Sequence, residues 1–190
     1  RTIVSGEAAA EVNEGEQAPI RAHVWTTSLV RSIAAEGPLH DVALANNGVQ
    51  AVTAGATGVK HWNLGDGNLL RKFNAEDGAY VCVAVRGDNQ QVIAGDAENK
   101  LQFWNLANGQ PLATADLASP ALRVRYSADN QRIVAACADN HLRFFDPADG
   151  KATYELTSDK PLAGAVFTVE GRTVLTGGEG VSRTKLAGFQ

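Results

Sequence analysis

A strand that ends in an aromatic residue recurs along this chain at nearly constant spacing. The three copies are Val59–Leu64, Leu101–Leu106 and Leu142–Asp146. Trp104 lies 42 residues after Trp62, and Phe145 lies 41 residues after Trp104. Self-similarity at a period of about 40 to 45 residues, with several strands in each unit, is typical of β-propeller arrays.

The residues around each aromatic strand predict three more strands, and therefore a four-stranded antiparallel meander. A strand of small residues precedes the aromatic strand, and an apolar strand with a tight turn comes before that. A fourth strand follows the pairs Asp66-Gly67, Asn108-Gly109 and Asp149-Gly150. Such pairs favour hairpin turns because both residues tolerate positive φ. Val81–Val85 is apolar on both faces, as expected for a strand in a blade that its neighbours cover on both sides.

We therefore predict an all-β fold, a β-propeller of four-stranded antiparallel blades, with eighteen strands over about five blade positions. The predicted units within one domain (1–190) are a partial blade at 1–33, complete blades at 39–74, 79–115 and 121–157, and a partial blade at 162–187. The chain contains no methionine and begins within a predicted strand. We expect a fragment of a larger ring, completed by another copy or another chain segment. The acidic stretch 7–17 is expected to be an exposed loop or, alternatively, a binding protrusion.

The aromatic strands resemble the third strand of the tryptophan–aspartate repeat family of β-propellers, particularly its divergent bacterial members, and the resemblance covers nearly the whole chain. The family's Trp-Asp pair corresponds to Trp62-Asn63, Trp104-Asn105 and Phe145-Asp146. In the family, an aspartate six residues before the aromatic joins a network with a histidine, a serine or threonine and the tryptophan. The corresponding residues here are Ala56, Glu98 and Asp139. Because no unit carries the full set, we expect strand packing to hold the blades together.

Composition and motif searches argue against several classes of function. The 17 basic and 21 acidic side chains give a net charge of −4, without a basic run that would favour nucleic acid or an anionic membrane. The four histidines lack metal-ligand spacing, and no nucleophile motif accompanies His40-Asp41. We therefore predict no metal, no cofactor and no catalytic site. Cys82 and Cys137 lie in apolar strands and are expected to be buried thiols rather than a disulfide.

The resemblance implies a binding surface, which we call the acidic face. In the family, the loops between blades and those before the third strand share a face that commonly binds peptides or proteins. Its acidic residues here are Glu76, Asp77, Asp96, Glu98, Asp116, Asp139, Asp159 and Glu179. Such a face favours a basic protein partner, or it is a solvated surface that keeps the protein soluble.

Arg123 and Arg125 alternate along a predicted innermost strand, where another unit has Asp41 and Ala43. We expect the two arginine side chains to line a water-filled channel or to pair with acids of a neighbouring blade. The alternative is that they form an anion site in the channel. The preferred function is a non-catalytic scaffold for protein–protein interaction. The alternatives are a module that self-assembles with another copy or chain segment, and a ligand-binding or enzymatic propeller that uses the channel.

Overall fold

The computed structural model describes residues 3–6, 21–25, 29–73, 78–168, 171–178 and 180–186, with side chains from residue 32 onward except at 185. These residues form eighteen strands and no helix, which confirms the predicted all-β class and strand number. The strands are β1 (Ile3–Gly6), β2 (Arg21–Trp25), β3 (Leu29–Ala34), β4 (Leu39–Leu44), β5 (Gln50–Gly55), β6 (Gly58–Asn63), β7 (Leu69–Lys72), β8 (Tyr80–Val85), β9 (Gln91–Asp96), β10 (Lys100–Asn105), β11 (Pro111–Asp116), β12 (Ala121–Tyr126), β13 (Ile133–Cys137), β14 (His141–Phe145), β15 (Ala152–Thr157), β16 (Leu162–Phe167), β17 (Thr173–Gly178) and β18 (Gly180–Lys185). The acidic stretch 7–17 lies outside the described residues.

The strands form five antiparallel sheets: sheet I (β1–β3), sheet II (β4–β7), sheet III (β8–β11), sheet IV (β12–β15) and sheet V (β16–β18). The first strands of sheets II to V contact one another in succession, β4 with β8, β8 with β12 and β12 with β16. The second strands β5, β9 and β13 also contact the first strand of the next sheet, and β1 contacts β4 in the same way. Sheets set side by side with their first strands innermost resemble the blades of a β-propeller.

The backbone repeats more closely than the side chains do. In the described part of the chain, every residue with positive φ occupies one of three turn positions. The turn between the first and second strands uses Gly48, Asn89, Asn130 and Gly171; the turn between the second and third uses Gly58, Asn99, Asn140 and Gly180; the turn between the third and fourth uses Gly67, Gly109 and Gly150. Glycine and asparagine recur there because other residues pay a steric cost at positive φ.

The hairpin turn predicted after each aromatic strand is present, although not every residue of the pair adopts positive φ. Only the glycine has positive φ, and the Gly109 N–H donates to the Asn105 carbonyl at 2.8 Å, which closes a longer loop. The Asn105 side chain caps this loop by accepting the Ala107 N–H at 3.0 Å. Asn63 and Asp146 cap the equivalent loops. The polar residue after each aromatic therefore serves the turn that follows it.

Apolar side chains fill the space between successive sheets. Val52, Ile93 and Val134 lie one repeat apart, and each is fully buried in a cluster shared with the following sheet. Cys82 and Cys137 are buried and free, as predicted. Burial raises the pKa of the Cys82 thiol to about 12. Close packing of this kind is the main source of stability in a stacked array.

Asparagine side chains also join successive sheets at the turns between first and second strands. The Asn46 N–H donates to Asn89 Oδ1 at 2.7 Å, and the Gly87 N–H donates to Asn130 Oδ1 at 2.9 Å. Each bond crosses from one sheet to the next. The equivalent position in sheet V is Gly171, which has no side chain to continue the series.

Candidate functional site

The loops of the acidic face lie together at one end of the sheets. In each four-stranded sheet, the turn before the third strand is bonded to the connection that precedes the first strand. The three bonds run from Ala56 N–H to Pro38 O, Ala97 N–H to Ala79 O and Ala138 N–H to Pro120 O, at 2.9, 2.9 and 3.0 Å. The two sets of loops therefore form a common surface. Glu76, Asp77 and Glu179 lie outside the described residues.

Two acids of this face are engaged in the fold itself. Asp96 is buried, and its carboxylate accepts the Lys100 N–H at 2.8 Å and Gln102 Nε2 at 2.8 Å. Asp139 accepts Arg143 Nη1 at 3.0 Å and Nη2 at 2.7 Å. These hydrogen bonds from Arg143 hold the pKa of the Asp139 carboxyl below its usual range. Both carboxylates stabilise the sheets from which they project.

These bonds belong to a series that the sequence reasoning missed. The residue two positions before the aromatic is polar in sheets II, III and IV, although the strand around it is largely buried. The three donor–acid pairs are Lys60 with Glu36, Gln102 with Asp96, and Arg143 with Asp139. Of these three acids, only Asp139 is the aspartate that lies six residues before the aromatic. Recurrence of a long polar residue in a buried strand is the signal that could have revealed the series.

One link of the family's expected network is present in sheet II. Trp62 Nε1 donates to Thr53 Oγ1 at 2.9 Å, and both side chains are buried. The positions equivalent to Thr53 in sheets III and IV are Ala94 and Ala135, which cannot accept such a bond. The described sheets thus keep a tryptophan–hydroxyl bond in one unit and the donor–acid pairs in three.

Other acids of the face are directed to solvent. The Glu98 side chain is 82% exposed and has Lys100 Nζ at 3.8 Å, which is too long for a strong pair. Asp116 and Asp159 are exposed as well. By contrast, Lys60 and Arg143 are buried against their carboxylates. At this end of the sheets the exposed acids Glu98, Asp116 and Asp159 therefore outnumber the exposed basic residues, of which Lys160 is one.

In the channel, Arg123 and Arg125 approach a single carboxylate. Their Nη1 atoms lie 4.0 and 3.8 Å from Asp41 Oδ2, across the first strand of sheet III. Asp41 itself accepts the Val42 N–H at 3.0 Å and the Val83 N–H at 3.1 Å. Asp41 belongs to sheet II, so these side chains join the first strands of three sheets.

His61 and His141 lie in the third strands of sheets II and IV. His61 is buried and stacks on Phe73, and burial lowers the pKa of its imidazole. His141 Nδ1 lies 2.8 Å from the Asp139 carbonyl oxygen. Across the described ranges, no three histidine, cysteine, aspartate or glutamate side chains are grouped to hold a metal ion. The same ranges contain no helix of the length and apolarity needed to cross a membrane.

Comparison with known proteins gives one limited similarity. No family model matches the chain. Over 58 residues the chain is 33% identical to eukaryotic translation initiation factor 3 subunit I of Danio rerio. That match covers 30% of this chain and 18% of the zebrafish protein, so it spans less than a fifth of the relative's length.

Proposed function

We propose that the chain is a divergent tryptophan–aspartate repeat propeller segment with five blade positions in one domain, three complete and two partial. The five sheets, the aromatic third strands and the Trp62–Thr53 bond support this assignment. The short similarity to an initiation factor subunit is compatible with it. The divergence lies in the stabilising bonds, where donor–acid pairs stand in place of most of the family network.

We further propose that the protein is a non-catalytic scaffold that binds a basic protein partner through the acidic face. The observation that carries this proposal is the orientation of charge: Glu98 and Asp159 face solvent, while Lys60 and Arg143 are buried. A surface with an excess of one charge sign steers a partner of opposite sign and favours one orientation. The similar zebrafish protein is named as a subunit, and so as a member of a complex.

The test neutralises two exposed acids that take no part in the donor–acid pairs. The variant Glu98→Gln/Asp159→Asn changes the net charge by +2. The matched control, Ala107→Lys/Ala148→Lys, makes the same change at exposed positions in turns at the opposite end of the sheets. A protein captured from extract of the source organism is purified, and its affinity for each variant is measured at low and raised salt.

We expect the acid variant to bind the captured protein several-fold more weakly, chiefly through slower association at low salt. The control should bind as the unaltered protein does. Equal affinity of all three proteins, or an equal loss in both variants, would show that the acidic face is not the binding surface.

A further inference from the structure

Sheet II carries a polar pair at a position that is apolar in the other complete sheets. His61 on β6 lies directly opposite Arg71 on β7. His61 is only 5% exposed, so its ring is buried like the rings at the same position in sheets III and IV. An ionisable ring thus occupies a site that phenyl rings fill elsewhere. The equivalent pairs are Phe103 with Ala113 in sheet III and Phe144 with Tyr154 in sheet IV.

The loop between β10 and β11 of sheet III closes over this pair. Arg71 Nη2 donates to the Ala107 carbonyl oxygen in that loop at 2.8 Å. Gly109 of the same loop packs against the arginine stem, where a Cβ would lie 2.5 Å from Arg71 Cδ. Only glycine allows this close approach. We call the contact between the His61–Arg71 pair and loop 106–110 the polar junction.

Each member of the pair has a buried nitrogen with no hydrogen-bond partner among the described residues. These atoms are His61 Nε2 and Arg71 Nε. The His61 ring stacks on Phe73 with ring centroids 6.1 Å apart, so its packing resembles that of an apolar ring. A buried polar atom without a partner costs free energy. The pair therefore gains little from hydrogen bonding, and what distinguishes it from a phenyl ring is the charge that His61 can acquire.

Among the described residues, no acid is placed to balance a second positive charge at the polar junction. Strand β6 packs against β5, β7 and β8. The charged side chains of β6 and β7 are Lys60, Arg71 and Lys72, which are all basic. Strand β5 and loop 106–110 have no ionisable side chain, and β8 has no acid. The acid between β6 and β7, Asp66, accepts two hydrogen bonds within its own turn.

We propose that the polar junction is an acid-sensitive latch between sheets II and III, which opens when His61 takes up a proton. The imidazolium then lies opposite the Arg71 guanidinium, and like charges directly opposite one another destabilise an antiparallel pair. Arg71 leaves the Ala107 carbonyl, and loop 106–110 separates from β7. The latch lies at the end of the sheets opposite the acidic face and does not depend on the proposed partner.

The direction of the pH effect follows from the surroundings of the ring. Burial, and to a lesser extent the charge of Arg71, lower the pKa of the folded His61 imidazole from its ordinary value of 6.5. Opening exposes the ring and returns its pKa towards that value, so the open form binds the proton more readily. The closed junction therefore keeps its full stability above pH 6.5 and loses it as the pH falls from 6.5 through the lower folded pKa.

Amide hydrogen exchange at about pH 7.5 and about pH 5, corrected for the intrinsic exchange rate, tests the latch. The reporters are the N–H groups of Gly109 and Phe73, which are hydrogen-bonded on the two sides of the polar junction. Their opening equilibrium should rise by about three- to tenfold at the lower pH and should return when the pH is restored. The amides of β13, in the buried centre of sheet IV, should be unchanged, which distinguishes local opening from global unfolding.

Two variants and a control assign the effect to this pair. His61→Phe supplies the ring that sheets III and IV carry at the same position, so reporter exchange should no longer respond to acid. Arg71→Met loses the bond to Ala107, so the reporters should exchange faster at neutral pH but respond less to acid. The control, His141→Gln, removes a histidine that lies beside two carboxylates, and it should respond to acid as the unaltered protein does.

The proposal is overturned if acid does not increase reporter exchange in the unaltered protein, or if His61→Phe keeps the full increase. Should His61→Phe fail to fold, an undiminished acid response in Arg71→Met would overturn the proposal in its place. Loss of the response in His141→Gln would assign the effect to the other histidine and would also exclude the latch.

Discussion

Replacing Arg143 with methionine should destabilise sheet IV, because Asp139 would lose two charged hydrogen bonds. Methionine keeps much of the apolar stem of arginine in place, so the substitution chiefly removes the guanidinium. The bonds measure 3.0 and 2.7 Å, and the Arg143 side chain is only 10% exposed. The contact is bidentate, whereas Lys60 and Gln102 each donate one hydrogen bond to their acids.

The magnitude follows from geometry and exposure. A hydrogen bond to a charged group contributes about 1.5–3 kcal/mol when both partners are buried, and an exposed ion pair contributes about 0–1 kcal/mol. Asp139 is 29% exposed, so the pair falls between these cases. We expect a coupling free energy of about 1–2 kcal/mol between Arg143→Met and Asp139→Asn in a double-mutant cycle.

Urea unfolding at several pH values is the assay. Arg143 lowers the pKa of folded Asp139 below its unfolded value, so the pair adds stability above the unfolded pKa of about 4. That contribution should be lost as the pH falls from about 4 through the lower folded pKa. The control, Asp159→Asn, removes an exposed acid and should change stability by less than about 0.5 kcal/mol.

The reasoning would be refuted by a coupling free energy below about 0.3 kcal/mol at neutral pH, which is within the error of such cycles. It would also be refuted by a coupling that stays constant down to pH values at which Asp139 is protonated. Either result would mean that the donor–acid pairs are a consequence of the fold and do not stabilise it.

Two further predictions concern the contacts between sheets. Gly171→Asn should raise the melting temperature by about 2–4 °C, because asparagine tolerates the φ of 67° and would bring an acceptor towards the Ala128 N–H, as Asn130 does for Gly87. Gly171→Ala should lower the melting temperature. Equal effects of the two substitutions would rule out the added hydrogen bond. The Cys82 thiol should resist a disulfide reagent at pH 8 in the native protein and react fully in urea, since burial raises its pKa to about 12. Rapid reaction of Cys82 in the native protein would contradict the described packing.

The strands and sheets could be predicted from the sequence because their signals are local and periodic. The recurrence of Trp62, Trp104 and Phe145 gives the repeat, and glycine or asparagine at fixed offsets gives the turns. The contacts between sheets could not be predicted in the same way. The bond from the Asn46 N–H to Asn89 joins residues 43 positions apart, and nothing near Asn89 in sequence distinguishes it from an ordinary turn asparagine.

The acidic face shows a related limit. Composition groups Asp96, Glu98 and Asp159 as equivalent surface acids, yet the structure buries Asp96 and exposes the other two. The difference depends on whether a donor such as Gln102 is within reach on the neighbouring strand. Charge counted along the chain therefore overstates the number of carboxylates that a partner can contact.

A departure from the repeat places two charged side chains beside Asp41. The positions of Arg123 and Arg125 are held in sheet III by Cys82 and Ala84, which are small and buried against sheet IV. Arginine is too long and too strongly charged to occupy the same space between sheets, so both side chains extend towards Asp41 in the channel. The neighbouring strand accommodates them through Gly164, where a Cβ would lie 3.3 Å from Arg123 Cγ. In a stacked array, side chains that cannot pack between two sheets must extend elsewhere, and here they extend across the first strand of sheet III to Asp41.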